Sequence, residues 1–246
     1  MKIDENIYTL LKEAFRGGNT ASNRVHTDVI HEKVGSFDLS SSYPFQLMTE
    51  YYPMSKFIKY SVKTSEELAS MNSKYCTLGR YAFYDVEIKE NVPIPYIAFA
   101  KCSKCVDGEY YNGRVLKAKM LITTLTEIDY RIICEQYTFK SLRIKDFYFA
   151  RPGYLSDELK SVILNYYTKK TLLKGVEGHE YEYMKSKNKL NAIYGMMVTS
   201  LVHNDITIND IGEYIVTETD IQKGLDDYYA SYNSFLSFQH GVWCTS

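Results

Sequence analysis

Phe37-Asp38-Leu39-Ser40-Ser41-Ser42-Tyr43-Pro44 is the stretch on which the reading of this chain turns. Val34 to Asp38 reads as a short buried strand, and a serine-rich turn follows at once. A carboxylate at the end of a strand can hold a divalent metal. An aromatic ring five residues on, past the turn, can pack beside whatever the metal holds. The same residues also suit an Asx-type turn ahead of a helix, so the segment alone leaves two readings open.

Upstream, Ile7, Leu10, Leu11 and Phe15 stand at helical spacing, and the helix is expected to stop at Arg16-Gly17-Gly18. Downstream, Tyr81 to Ala150 reads as short strands of aromatic and β-branched residues, with a two-residue hairpin turn at Asn112-Gly113. Thr124-Leu125-Thr126-Glu127 has the form of a capping box and is expected to open a helix through about Tyr137. Two further helices are predicted, Leu155 to Lys170 capped by Ser156, and Tyr181 to about Leu201. The tail mixes polar loop, a strand at Tyr214-Ile215-Val216 and a tyrosine-rich helix. The fold class is therefore α+β, without internal repeats.

With 246 residues, 45% apolar and 24% charged, the chain has the composition of a globular domain with a real core, which excludes disordered and fibrous classes. No apolar run approaches the roughly 18 to 20 residues of a membrane span, and Met1-Lys2-Ile3-Asp4-Glu5 lacks a signal peptide's basic start. The expectation is a soluble, cytoplasmic protein with no membrane partner. Five irregularly spaced cysteines argue for a reducing compartment, and Cys102-Ser103-Lys104-Cys105 is half a zinc knuckle with no second pair near it. His31, His179, His203 and His240 have no nucleophile or carboxylate at a spacing that suggests a hydrolase triad. The 24 tyrosines against one tryptophan supply many ring faces with polar tips.

The net charge of −1 means that any nucleic-acid contact must use a local patch. Lys169, Lys170, Lys174, Lys185, Lys187 and Lys189 form such a patch around Lys187-Asn188-Lys189-Leu190-Asn191-Ala192-Ile193-Tyr194-Gly195. On a helix, Lys187, Asn191 and Tyr194 share one stripe while Leu190, Ile193 and Met197 face elsewhere. A cation, an amide and a ring in line suit a phosphate, a sugar or base edge, and a base plane. An ordinary amphipathic helix has the same spacing.

Asp38, Ser41, Tyr43 and Pro44 in Asp-x-x-Ser-x-Tyr-Pro resemble motif A of family B DNA polymerases. Lys187, Asn191, Tyr194 and Gly195 resemble motif B, in the same order along the chain. Phe15-Arg16-Gly17-Gly18 is similar to the aromatic-x-Gly-Gly linker of the protein-primed, phage-type branch, and Leu125 to Tyr130 and Gly241 to Thr245 add further similarity. The resemblance implies a polymerase palm with helical fingers and a mixed α/β insertion between motifs A and B. Its implied layout is a linker at 1–33, palm with motif A at 34–80, and a terminal-protein-region-like insertion at 81–150. Fingers helices with motif B follow at 151–201, a second insertion at 202–240 and a return to palm at 241–246.

By resemblance, Asp38, with the Leu39 carbonyl, would hold catalytic magnesium, two ions being expected in a complete enzyme. Tyr43 would pack under the incoming sugar and exclude a 2′-hydroxyl, Lys187 would meet the triphosphate with Lys174 as helper, and Asn191 would line the nucleotide pocket. Tyr194 and Gly195 would lie at the nascent base pair and template, and Phe15, Arg16, Gly17 and Gly18 against single-stranded template. The implied partners are template-primer DNA, deoxynucleotides and a terminal protein primer. The family's second metal-binding motif, Tyr-x-Asp-Thr-Asp-Ser, is absent from this sequence, and Glu218-Thr219-Asp220 imitates it only in part. The expectation is a fragment, or one part of a split enzyme, inactive until joined by a downstream segment. A non-catalytic DNA-binding or scaffold protein derived from such a polymerase is the other reading.

Overall fold

A computed structural model describes residues 2–24, 26–27, 30–231 and 237–246. In chain order the helices are α1 (Glu5–Ala14), α2 (Ser42–Thr49), α3 (Ser65–Lys74), α4 (Glu127–Gln136), α5 (Asp157–Leu172), α6 (Glu180–Met197), α7 (Ile221–Ser231) and α8 (Phe238–Thr245). The strands are β1 (Tyr52–Pro53), β2 (Ile58–Lys59), β3 (Cys76–Ile88), β4 (Cys102–Val106), β5 (Glu109–Tyr111), β6 (Arg114–Thr126), β7 (Tyr137–Thr138), β8 (Ser141–Ala150), β9 (Pro152–Gly153), β10 (Asp205–Ile208) and β11 (Tyr214–Thr217). The α+β class expected from the sequence is the one observed.

An antiparallel sheet in the order β2-β8-β3-β6-β4 forms the centre, with β5 added to β6 and β7 to β3. Its middle strand β3 carries Leu78, Tyr81, Phe83 and Val86 into the core. One cluster joins this sheet to α3 and α4 through Leu68, Phe83, Leu121, Leu125, Ile133 and Phe147. A second cluster gathers Leu11, Leu47, Ile163, Leu190, Leu225 and Val242 from the surrounding helices. The long helices α5 and α6 pack side by side, and both touch α2.

Local chemistry accounts for most boundaries. Asp4 caps α1 by accepting the Ile7 amide at 2.9 Å, and Ile7, Leu10, Leu11 and Ala14 bury one face. The helix stops at Ala14 with Phe15 extended, just before Gly17 takes a φ of +68°. Asn112 and Gly113 have φ of 46° and 71°, the paired positive values of a tight hairpin turn.

Several expectations are corrected. The segment Val34 to Asp38 is not a buried strand: every residue from Glu32 to Ser40 is exposed, and among the described residues no strand pairs with it. A strand needs a neighbour for its N–H and C=O groups, and here they face water. The expected capping box at Thr124 and Glu127 is built two residues later by Thr126 and Asp129, because β6 continues to Thr126. Thr124 instead donates to Glu13, and Glu127 turns to Trp243. Helix α6 ends at Met197 rather than near Leu201, and α5 runs to Leu172.

Helix α3, capped by Thr64, was not anticipated. Strand β3 begins at Cys76, so the 80/81 layout boundary falls inside it, and the one at 240/241 falls inside α8. Parts of 1–33 and 202–240 lie outside the described residues. No helix among the described residues is long and apolar enough to cross a membrane.

Candidate nucleotide site

The N-terminal turn of α2 and the C-terminal turn of α6 meet ring on ring. Tyr43 and Tyr194 stack with centroids 3.9 Å apart and planes 5° from parallel. Leu190, Ile193 and Met197 bury one face of α6, and Lys187, Asn191 and Tyr194 form one stripe along its border, where Tyr194 can reach Tyr43. Lys187 and Tyr194 are half-buried while Asn191 and Gly195 are exposed. A side chain at Gly195 would meet nothing within 4 Å, so the space beside the stripe is open. Burial first, then the neighbouring Tyr43, raises the Tyr194 phenol above its usual range and keeps it protonated.

Motif A adopts a different form from the one expected, but its turn is well held. Ser41 is left-handed, with a φ of 59°, and its hydroxyl accepts from the Lys170 ammonium at 2.7 Å. The contact ties α5 to the turn before Tyr43. Sequence reasoning placed Lys170 only in a general basic patch; its reach to Ser41, far away in sequence, had no local signal. Asp38 and Leu39 lie in the exposed segment just upstream, with Leu39 81% exposed. Lys174 is exposed in the turn between α5 and α6.

Of the linker residues, Gly18 comes closest to the stack: a Cβ there would stand 3.5 Å from the Tyr43 hydroxyl. Phe15 packs against Phe238, with ring centroids 6.1 Å apart. Arg16 turns into the protein, where its Nε donates to Asp129 at 3.1 Å and its side chain is only 10% exposed. Asp129 also accepts from the Tyr96 hydroxyl and from Thr126. This network anchors the linker to the base of the sheet. The decoy at Asp220 is a helix cap, accepting the Lys223 amide at 2.9 Å. Cys102 and Cys105 are free thiols on β4, and the Tyr110 hydroxyl donates to the Cys105 sulfur.

A carboxylate that the sequence assigned only to a helix cap sits beside this site. Glu127 accepts from the Thr77 amide at 2.6 Å and from the Trp243 indole at 2.8 Å. With Gly17, Gly18, Tyr43 and Trp243 it lines a cleft of about 540 Å³. Burial pushes its carboxyl up to about 7, against the pull of the two N–H donors. A folded pKa raised above the unfolded value stabilises the fold at low pH, and the contribution is lost as pH rises towards 7. The stability advantage of the native chain over Glu127→Gln should therefore shrink by about 2 kcal/mol between pH 4.5 and 7. Urea unfolding across that range measures it; a difference flat with pH contradicts the assignment.

The family model for type B DNA polymerases, organellar and viral, matches residues 1–236. Among solved structures, Phi29 DNA polymerase complexed with primer-template DNA superposes with a TM-score of 0.65 and 18% identity, over 99% of this chain and 38% of that one. The same polymerase complexed with single-stranded DNA gives 0.66 and 17%, over 99% and 38%. Its ternary complex with primer-template DNA and incoming nucleotides gives 0.65 and 18%, over 99% and 39%. At this identity the likeness shows a shared fold, and this chain spans well under half the length of that polymerase. Against curated protein sequences nothing matches significantly. The match over nearly the whole length means that the chain belongs to the type B DNA polymerases of the organellar and viral group.

Proposed function

We propose that this chain is the palm and fingers part of a protein-primed, phage-type DNA polymerase, which extends a primer 3′-hydroxyl with deoxynucleotides on a DNA template. The observation that carries the proposal is the Tyr43–Tyr194 stack, which brings motif A and motif B side chains from distant parts of the chain onto one face. In this reading the flat face of Tyr43 lies under the incoming sugar, and its bulk leaves no room for a 2′-hydroxyl. Lys187 offers a point charge to the triphosphate. Asn191 lines the nucleotide pocket from the next turn, and Tyr194 packs at the new base pair. Lys170 holds the turn that aims Tyr43.

Asp38 supplies an exposed carboxylate with the Leu39 carbonyl next to it. Both are hard oxygen donors of the kind magnesium takes, and magnesium in polymerase sites is held by one or two carboxylates with substrate phosphates and water completing the shell. The donors present fit one side of such a site, although no group of three or more His, Cys, Asp or Glu residues converges among the described residues. When bound, magnesium would neutralise the triphosphate and stabilise the charge that develops during the displacement.

The test is nucleotide selection. In the complete polymerase, Tyr43→Val should relax discrimination against ribonucleotides by about 10- to 100-fold, since removing a steric wall is worth a few kcal/mol at most. Deoxynucleotide incorporation should persist. Single-turnover incorporation of dNTP and rNTP decides the point; unchanged discrimination removes Tyr43 from the sugar pocket.

A further inference from the structure

Cys102-Ser103-Lys104-Cys105 opens β4, which lies at one edge of the central sheet. In a regular strand side chains alternate, so residues three apart point to opposite faces. Here the pairing with β6 is irregular: Cys102 stands opposite Thr123, Lys104 opposite Ile122 and Cys105 opposite Leu121. Three steps along β4 thus match two along β6, which is a bulge, and both cysteines fall on the face of Thr123 and Leu121. Both pack against the core cluster that contains Leu121, while Ser103 and Lys104 are exposed.

Each thiol has a neighbour that holds it. Cys102 Sγ donates to the Ala98 carbonyl at 3.5 Å, and the Tyr110 hydroxyl donates to Cys105 Sγ at 3.2 Å. Tyr110 reaches back over the turn between β4 and β5 because nothing stands on Gly108. A Cβ there would collide with the phenol and come within 3.0 Å of the Cys105 sulfur. Phe99 meets the Tyr110 ring edge-on, with centroids 4.7 Å apart. Both rings are close to half exposed and both thiols are half-buried, so the pair lies at the rim of the core, whereas Cys76 and Cys244 are sealed inside it.

We propose that Cys102 and Cys105 together bind one thiophilic metal ion, Cu(I), as a two-coordinate bis-thiolate, with the Tyr110 hydroxyl supporting the Cys105 sulfur. Same-face residues two positions apart on the partner strand are about 6.8 Å apart at Cα. That is the upper limit for a disulfide, which also needs its Cβ atoms within about 4.5 Å. An ion asks for less: with metal–sulfur bonds of about 2.3 Å, the sulfurs need only come within about 4.6 Å of each other. Zinc in a closed site wants four ligands, and no group of three His, Cys, Asp or Glu residues forms here among the described residues. Cu(I) is soft, prefers thiolate and is satisfied by two sulfurs in line. The Tyr110 bond survives when Cys105 loses its proton, so the phenol orients the sulfur in either state. The assignment is independent of nucleotide transfer. The sequence showed half a zinc knuckle; the bulge, which depends on pairing with β6, makes that half a site.

The experiment is anaerobic competition for Cu(I) between the reduced 246-residue chain and the chromophoric chelator bicinchoninate. The chain should withdraw one equivalent. Cys102→Ser and Cys105→Ser, made singly, should each weaken binding by more than about 100-fold, since loss of a group that only supports a ligand already costs about 10- to 100-fold. Tyr110→Phe keeps the ring and should weaken binding by about tenfold. Cys134→Ser, on α4, should leave it unchanged. Circular dichroism checks the fold of each variant.

Folded serine variants that compete for Cu(I) as well as the unchanged chain overturn the proposal. So does a preference for Zn(II) over Cu(I) at equal free concentration, which would require further ligands. Ready formation of a Cys102–Cys105 disulfide under glutathione disulfide, read from the linked peptide by mass spectrometry, would place the sulfurs within bonding reach and overturn the choice of an ion. X-ray absorption at the copper edge needs no variant: two sulfur neighbours and no nitrogen support the assignment, and any other shell overturns it.

Discussion

Trp243→Ala should lower the stability of the chain by about 4 kcal/mol and its melting temperature by roughly 10 °C. The indole is 4% exposed and packs in the helical core, with the Phe57 ring 5.8 Å away. Its removal leaves a cavity, and truncations of buried aromatic residues cost about 3 to 5 kcal/mol. It also removes the N–H that one oxygen of Glu127 accepts, so a buried carboxylate loses a partner. Trp243→Phe separates the two effects: it keeps most of the packing and should cost about 1 to 2 kcal/mol, chiefly the hydrogen bond. Urea unfolding followed by circular dichroism is the measurement, because the chain's one tryptophan is lost in both variants. A cost below about 1 kcal/mol for the alanine variant would mean that α8 is not held to the rest by this side chain.

Asp38→Ala should have the opposite profile. The residue is exposed in an irregular segment, and no hydrogen bond or ion pair of its side chain is found among the described residues. The substitution should change stability by no more than about 0.5 kcal/mol. In the complete polymerase it should lower primer extension by at least about 10³-fold, the equivalent of some 4 kcal/mol of transition-state stabilisation lost with the carboxylate that would hold magnesium. Denaturation of the chain and primer extension by the complete enzyme measure the two halves. Extension within tenfold of the unchanged enzyme would remove Asp38 from the chemistry. The contrast between the two substitutions is physical: Trp243 acts through what it touches in the fold, whereas Asp38, in the proposed role, would act through what comes to it from solution.

Helix α8 is held to the start of α4 through Trp243 and to the end of α6 through Gly241. A Cβ at Gly241 would stand 2.8 Å from the Met197 carbonyl oxygen and 2.8 Å from a Val198 methyl. Only a residue without a side chain lets α8 approach the end of α6 so closely. The Gly-Val-Trp element is thus a packing device between the end of α6 and the start of α4, where its tryptophan reaches the Glu127 carboxylate.

Much of the local structure was legible in the sequence because it depends on neighbours along the chain. The caps at Ser156, the Asn112-Gly113 turn and the periodicities of α1, α5 and α6 are all written within a few residues. So are motifs A and B, which point to the polymerase family without any fold in view. The stripe of Lys187, Asn191 and Tyr194 followed from helical spacing alone.

Tertiary structure decided the rest. It stacked Tyr43 on Tyr194, because α2 is carried to α6 by the shared core of Leu47, Ile163 and Leu190. The segment around Asp38 has good strand propensity but no partner, so it stays irregular: pairing belongs to two segments, and one of them cannot specify it. Thr124 and Glu127 could have built a capping box, yet Glu13 and Trp243, both distant in sequence, claimed them. Pairing with β6 bulged β4 and so turned Cys102 and Cys105 to one face. The residue types and their short-range spacing thus came from the sequence alone, while the choice among competing partners was made only when the chain closed on itself, since burial and long-range hydrogen bonds outweigh local preference.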